Sequence, residues 1–263
     1  MNDIAAPHKI INNIVAIDSP PVYRALWPRD DQQVQQAMSI DDNPETLPPI
    51  ERIVRRLEEE IVLGQLRPRE RLLEEELAKI FDAKRHVIRA ALAELETMGI
   101  VVRQPNRGAT VRDFTAEEVS QIYDVRELLE RHAAEIIPLP LDPDVLAKLK
   151  ALHAEHSAAV DGNDPRVVFR ANLEFHRVLF SACGNPYLAE QIHALASRAH
   201  AIRFYAITDD ALLHRARDEH ARMIQYLEDG DREKLVDIVA GHIRPSKDAY
   251  LRLAGSQWRN RLR

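Results

Sequence analysis

From residue 50 to about residue 253 the apolar residues of this chain recur at helical spacing, and a single short stretch departs from it. A period near 3.6 places positions i, i+3, i+4 and i+7 on one face. Sustained over most of a chain, such a pattern leaves room for little except helices packed on helices. The departure is a pair of β-prone runs, 100–103 and 109–112, joined by Gln104-Pro105-Asn106-Arg107-Gly108. Asn-Arg-Gly between such runs reads as a hairpin tip. Only eight glycines in 263 residues fit the same picture. The expected fold class is mainly α.

The order of the elements narrows the architecture. Ile50, Ile53, Val54, Leu57, Ile61 and Val62 form a first helical stripe that ends at Gly64. A second stripe uses Leu72, Leu73, Leu77 and Ile80, and a third, about 84–98, uses Val87, Ile88, Ala91, Leu92 and Leu95 before Gly99. Three helices followed by a hairpin predict a winged helix-turn-helix over 48–113. Residues 1–47, broken by Pro7, Pro20, Pro21, Pro28 and Pro44, read as an irregular N-terminal extension. Residues 114–254 read as an all-helical bundle of about six helices. Thr115 with Glu118 starts the first as a capping box. Asp142-Pro143 and a loop ending in Pro165 open the next two. Pro245 should kink or interrupt the last helix. Residues 255–263 form a basic tail.

Chemistry-bearing side chains gather in two places. At the start of the third helix stand Lys84, Arg85, His86 and Arg89, with Arg85 and Arg89 four apart and opposite the buried stripe. Arginines on such a face suit bidentate contact with guanine edges and phosphate. The hairpin adds Arg103, Arg107 and Arg112. The net charge of −6 argues against a chain that coats nucleic acid, but not against a basic reading head on an acidic body. In the second place, Asn172 and His176 lie one turn apart on an apolar stripe. His220 and His242 interrupt the stripes of two later helices. Unpartnered buried polar groups cost about 1–3 kcal/mol each, so these four side chains are expected to meet at one ligand or metal site. His153 and His156 read as a solvated face, His193 and His200 as lying off the main stripe of their helix, and the single Cys183 as a buried small hydrophobe.

These segments resemble a known family. LRPRERLLEEELAKIF and DAKRHVIRAALAELETMGIVVRQPNRGATV resemble the winged helix-turn-helix of GntR-type bacterial transcription regulators. IYDVRELLERHAA, ANLEFHRVLFSACGNPYL, DEHARMIQYLEDGD and IVAGHIRPSKDAYL resemble the FCD sensor of its FadR-like subgroup. The resemblance implies DNA contacts by Arg85, Arg89 and the wing around Gly108. It also implies a divalent metal (Zn, Ni, Co or Mn) held by Asn172, His176, His220 and His242, and a small carboxylate effector held by Arg126. A salt bridge to Glu130 is the structural reading of Arg126. The chain departs from the family pattern at Arg69 (usually glycine), Lys84 (serine), His86-Val87 (Thr-Pro) and Ala90 (glutamate). Asn172 in place of aspartate removes a negative charge from the metal site.

The function so implied is a repressor or other transcription regulator, a homodimer on a pseudo-palindromic operator, whose DNA affinity a carboxylate controls. A metal-responsive repressor without an organic effector is the second reading. A helical-bundle metal enzyme is the third, disfavoured because no paired Glu-x-x-His helices and no evident base accompany the histidines. One cysteine excludes an intrachain disulfide and a thiolate zinc cluster. The absence of a signal-like start and of an apolar span predicts a cytoplasmic chain that meets no membrane, and the missing base together with the basic winged head predicts that it is not an enzyme.

Overall fold

The computed structural model describes residues 47–104, 108–207 and 209–261. The extension read at 1–47 lies outside them but for its last residue, as does Arg107. The described residues belong to one compact unit beginning at Leu47.

Helix α1 (Pro49–Val62) buries Ile53, Val54, Leu57, Ile61 and Val62, together with Glu58 and Glu59. Strand β1 (Arg71–Leu72), α2 (Glu74–Ile80), α3 (Arg85–Thr97), β2 (Val101–Gln104) and β3 (Gly108–Val111) complete a winged helix-turn-helix. The sheet is antiparallel with order β1-β3-β2. β1 was not legible in the sequence, because two residues carry no periodicity. It exists because Arg71 and Leu72 pair with Thr110 and Ala109 while Leu72 enters the core.

The remainder is helical: α4 (Ala116–Ile136), α5 (Pro143–Asp161), α6 (Pro165–Ser181), α7 (Pro186–Arg198), α8 (His200–Ile207), α9 (Asp210–Asp229), α10 (Arg232–His242) and α11 (Arg244–Arg261). The Thr115–Glu118 capping box is present, and Asp142, Asp164, Asn185, Asp209 and Asp231 each cap a following helix. Mainly helical architecture with a winged head is as read, and the last of the six expected bundle helices is interrupted near Pro245 as expected, but one other expected helix is also divided. The run 187–206 breaks at Ala199, whose N–H reaches the carbonyls of both Leu195 and Ala196 in a tightened turn. The run 232–253 breaks at Ile243, because Pro245 lacks an N–H and its ring would collide with the carbonyl of Gly241 in a continuous helix. α11 continues to Arg261, through part of the stretch read as a tail.

Two large cores hold these elements. One joins Ile53, Leu57, Ile88, Leu92 and Leu95 of the winged head to Val119 and Tyr123 of α4, Ile202 of α8, and Ile243 and Tyr250. Head and bundle therefore share a core. The other, inside the bundle, contains Ala133, Ile137, Leu149, Phe175, Leu179, Met223, Leu227, Leu235 and Val239.

Candidate DNA-reading face and histidine site

On α3, Ile88, Ala91, Leu92 and Leu95 are buried, while Lys84 (at the N-cap), Arg85, His86 and Arg89 are exposed. The helix thus spends one face on its own core and turns its basic face outward. The acids of α2 stand closer to that face than the sequence suggested. Arg89 Nε lies 2.8 Å from Glu74 Oε2, and Arg85 Nη2 lies 3.8 Å from Glu75 Oε2. Such exposed pairs contribute little, about 0–1 kcal/mol, so they orient the guanidinium groups without withholding them. Arg103 is exposed beside Glu96, whereas Arg112 is taken by Glu118 at 2.9 Å and lies over the Phe114 ring. Gly108 has a backbone reason to be glycine: φ is +84°, and a Cβ would sit 2.2 Å from the Leu72 carbonyl oxygen of β1. Arg69 adopts φ +69° where glycine would be unstrained, and its Nε pairs with Asp113 Oδ2 at 2.6 Å.

In the bundle, α6, α9 and α10 bring three histidines to one point. The Nε2 atoms are 3.1 Å apart for His176–His242, 3.2 Å for His220–His176 and 3.3 Å for His220–His242. Phe175 stacks on His220 and Phe180 on His176, which fixes two of the rings. His242 Nδ1 faces Glu219 Oε2 at 2.7 Å, and Arg215 Nε holds the other oxygen of that carboxylate. The carboxylate selects the tautomer with Nδ1–H, leaving the His242 Nε2 lone pair aimed inward. Desolvation, then the charge of His242, pushes the His176 and His220 imidazoles well below their ordinary value, so both are neutral. Three imidazole nitrogens meeting at a single point cannot all satisfy one another. Ligand atoms about 2.1 Å from a common ion stand about 3.0–3.4 Å apart, so the donor set and its spacing fit a divalent cation.

One cavity, of about 80 Å³, adjoins this point. Its lining includes Asn172 and His242, and also Arg126, His156, Arg203 and Ser246. Arg126 and Glu130 are both buried, with Arg126 Nε donating to Glu130 Oε1 at 2.9 Å. The salt-bridge reading is therefore correct, yet the Arg126 Nη1 is buried without a partner among the described residues. Burial acts against the Arg126 charge, but Glu130 and Tyr123 more than offset it and the pKa is raised.

Two readings from sequence are corrected. His156 is not on a solvated face: it is buried at 1% exposure, packs edge-on against His220 at 5.0 Å, and is lowered to about 4 by desolvation. His200 is equally buried, and its Nδ1 meets Glu58 Oε1 of α1 at 2.6 Å. Cys183 is buried as expected.

Comparison with known proteins then decides the family. Residues 49–111 match the model of the bacterial regulatory proteins of the gntR family, and residues 121–245 match the FCD domain. The chain belongs to the GntR family and carries an FCD domain. This GntR regulator is 28% identical over 187 residues to an uncharacterized HTH-type transcriptional regulator, YdhC, of Bacillus subtilis, covering 71% of this chain and 84% of that one. It is 25% identical over 189 residues to the Nta operon transcriptional regulator of Aminobacter aminovorans, covering 71% and 87%. Its fold is similar to that of E. coli McbR/YncC, with a TM-score of 0.67, 20% identity, and coverage of 81% and 100%. These relatives and both family models are regulators, so the GntR chain is a DNA-binding transcription regulator and not an enzyme.

Proposed function

We propose that this GntR regulator controls operator affinity through a small carboxylate effector bound beside a divalent metal in its FCD domain. The observation that carries the reading is the convergence of three histidine Nε2 atoms within 3.3 Å of one another, beside a cavity lined by Arg126. His176, His220 and His242 would hold the metal, with the Asn172 amide oxygen as the fourth protein ligand. When bound, the ion supplies a fixed positive charge and a Lewis-acid anchor for a carboxylate. Asn172 is neutral where an aspartate would not be, so the loaded site keeps the full charge of the ion. Arg126 adds a charge-assisted donor through its free Nη1.

On the DNA side, Lys84, Arg85, His86 and Arg89 of α3, with Arg103, Arg107 and Gly108 of the wing, would meet the operator. A homodimer on a pseudo-palindromic site belongs to the same proposal, as does membership of the FadR-like subgroup. Val125 and Leu128 on α4 are exposed at 46% and 66%, an apolar pair that a second copy would cover. No helix of the described residues is long and apolar enough to cross a membrane, which is compatible with the cytoplasmic site of action that a DNA-binding regulator requires.

Elemental mass spectrometry of the untagged protein, beside His220→Ala and Asn172→Asp, tests the reading. About one metal per chain, lost in His220→Ala and held more tightly in Asn172→Asp, is expected. No metal in the native protein or in Asn172→Asp would overturn it. Fluorescence anisotropy on duplexes selected from a random pool then separates the two regulatory readings. Metal-dependent binding that no carboxylate alters would favour the metal-responsive repressor.

A further inference from the structure

Three arginines against two carboxylates leave the cavity wall one positive charge in excess, and a divalent ion at the histidines would raise that beyond what one carboxylate can answer. Arg126, Arg203 and Arg215 stand in it or at its edge, against two carboxylates, Glu130 and Glu219. Glu219 is shared between Arg215 and His242, and Glu130 is bound by Arg126. Arg203 of α8 makes no ion pair among the described residues, although its charge and that of Arg126 both reach His176. Burial, then repulsion from Arg126, lowers the Arg203 guanidinium to about 10. The Tyr123 ring lies under the Arg126 guanidinium, 5.0 Å from its carbon, and the Tyr123 hydroxyl is buried with no hydrogen-bond partner among the described residues. Arg126 and Tyr123 are buried and Arg203 is partly buried; unpaired donors of this kind are retained against a desolvation cost, and a bound anion is the partner that answers all three.

We propose that the effector is a short dicarboxylate, with one carboxylate at the histidine end and the second clasped between Arg126 and Arg203. Arg203 is the residue that selects for the second acidic group. This rests on the reading of the histidine cluster as the anchor of the first carboxylate. The size of the cavity sets the length: about 80 Å³, at roughly 10–15 Å³ per water, holds about five to eight waters. A ligand of comparably few non-hydrogen atoms is a diacid of three or four carbons. A carboxylate bearing a phosphate shares the two-anion chemistry but has a larger second group.

Isothermal titration of the protein as purified, with acetate, propionate, malonate, succinate and phosphoglycolate, tests this. Malonate or succinate should bind at least tenfold more tightly than either monoacid. Arg203→Gln should weaken the diacids by about 10- to 100-fold, the loss of one charge-assisted pair, and leave the monoacids unchanged. Arg203→Lys should recover part of the loss. Unfolding midpoints of both variants establish that they fold. Equal affinity for mono- and diacids, or equal weakening of both in Arg203→Gln, would overturn the dicarboxylate assignment while leaving a carboxylate sensor intact. Binding of phosphoglycolate but of no diacid would overturn it too. No binding by any of the five acids, in protein that carries its metal, would remove the carboxylate reading itself and this inference with it.

Discussion

Gly108 and Arg69 occupy the same region of backbone space with opposite consequences. At Gly108 a side chain would collide with the backbone of β1, which cannot move without leaving the sheet. Gly108→Ala is therefore expected to cost 2 kcal/mol or more, on the order of a strained backbone plus a lost strand pairing. At Arg69, φ of +69° is already strained, and the side chain is engaged only with the half-exposed Asp113. Arg69→Gly should be neutral or stabilise by about 0.5–1 kcal/mol, because left-handed geometry costs a non-glycine residue about that much or more. Urea denaturation of both variants reads the two signs, and a stabilised Gly108→Ala would contradict the close approach of the wing to β1. Arg69 was visible in the sequence as a departure from the family pattern, but its dihedral was not. His156 was misread for a related reason. α5 packs against both α6 and α9, so it buries more than one face. A histidine off the main stripe then lands in the cavity wall rather than in water.

Helices α1 and α6 are joined by a charged clamp that periodicity could not disclose, since it depends on which helices meet. Glu59 of α1 is buried, and receives Arg166 Nη1 at 2.7 Å and Arg170 Nε at 2.6 Å from α6. The same α6 carries Asn172 and His176, two and six residues beyond Arg170. Glu59→Gln should cost about 1–3 kcal/mol, the lower end set by arginines that remain 26% and 30% exposed and so partly screened. Thermal unfolding checks it, and an unchanged midpoint would mean the clamp carries no stability. One residue earlier, Glu58 meets the buried His200 of α8. Desolvation lowers the His200 pKa below its ordinary 6.5, with Glu58 acting in the opposite sense. Unfolded chain then takes up a proton at a pH where the folded chain does not, so stability rises with pH across that window and is lost on acidification below about 6.5. His200→Gln should flatten this part of the pH-stability curve relative to wild type. Identical slopes for the two proteins would show that the joint does not titrate. The caps and helix faces were legible because each is written in local spacing, and the histidine cluster because each histidine interrupts an apolar stripe in a segment that resembles the FCD sensor. The joint between head and bundle was not, because it is written in tertiary contacts.

At the scale of the molecule, the winged head is not hung on a linker. α4 starts beside the wing at its Thr115 cap, contributes Val119 and Tyr123 to the core shared with α1 and α3, and places Arg126 in the cavity wall. It ends with Ala133 and Ala134 in the bundle core. α6 runs from the Glu59 clamp to His176. Two helices therefore connect the histidine site to the head, and a ligand that favours one arrangement of the site biases the pose of the head by its differential affinity. Removing a metal held at about 1,000-fold above its dissociation constant withdraws about 4 kcal/mol from the folded state. Chelation of the metal-loaded protein should accordingly raise deuterium uptake in α6, α9 and α10. Because of the clamp and the shared core, uptake should rise in α1 as well, and operator affinity should change with it. In Glu59→Gln the increase in α6, α9 and α10 should persist while the increase in α1 is reduced. If chelation loosened the histidine helices of wild type and left α1 unaltered, the route through α6 would be wrong, and transmission would have to run through α4 alone.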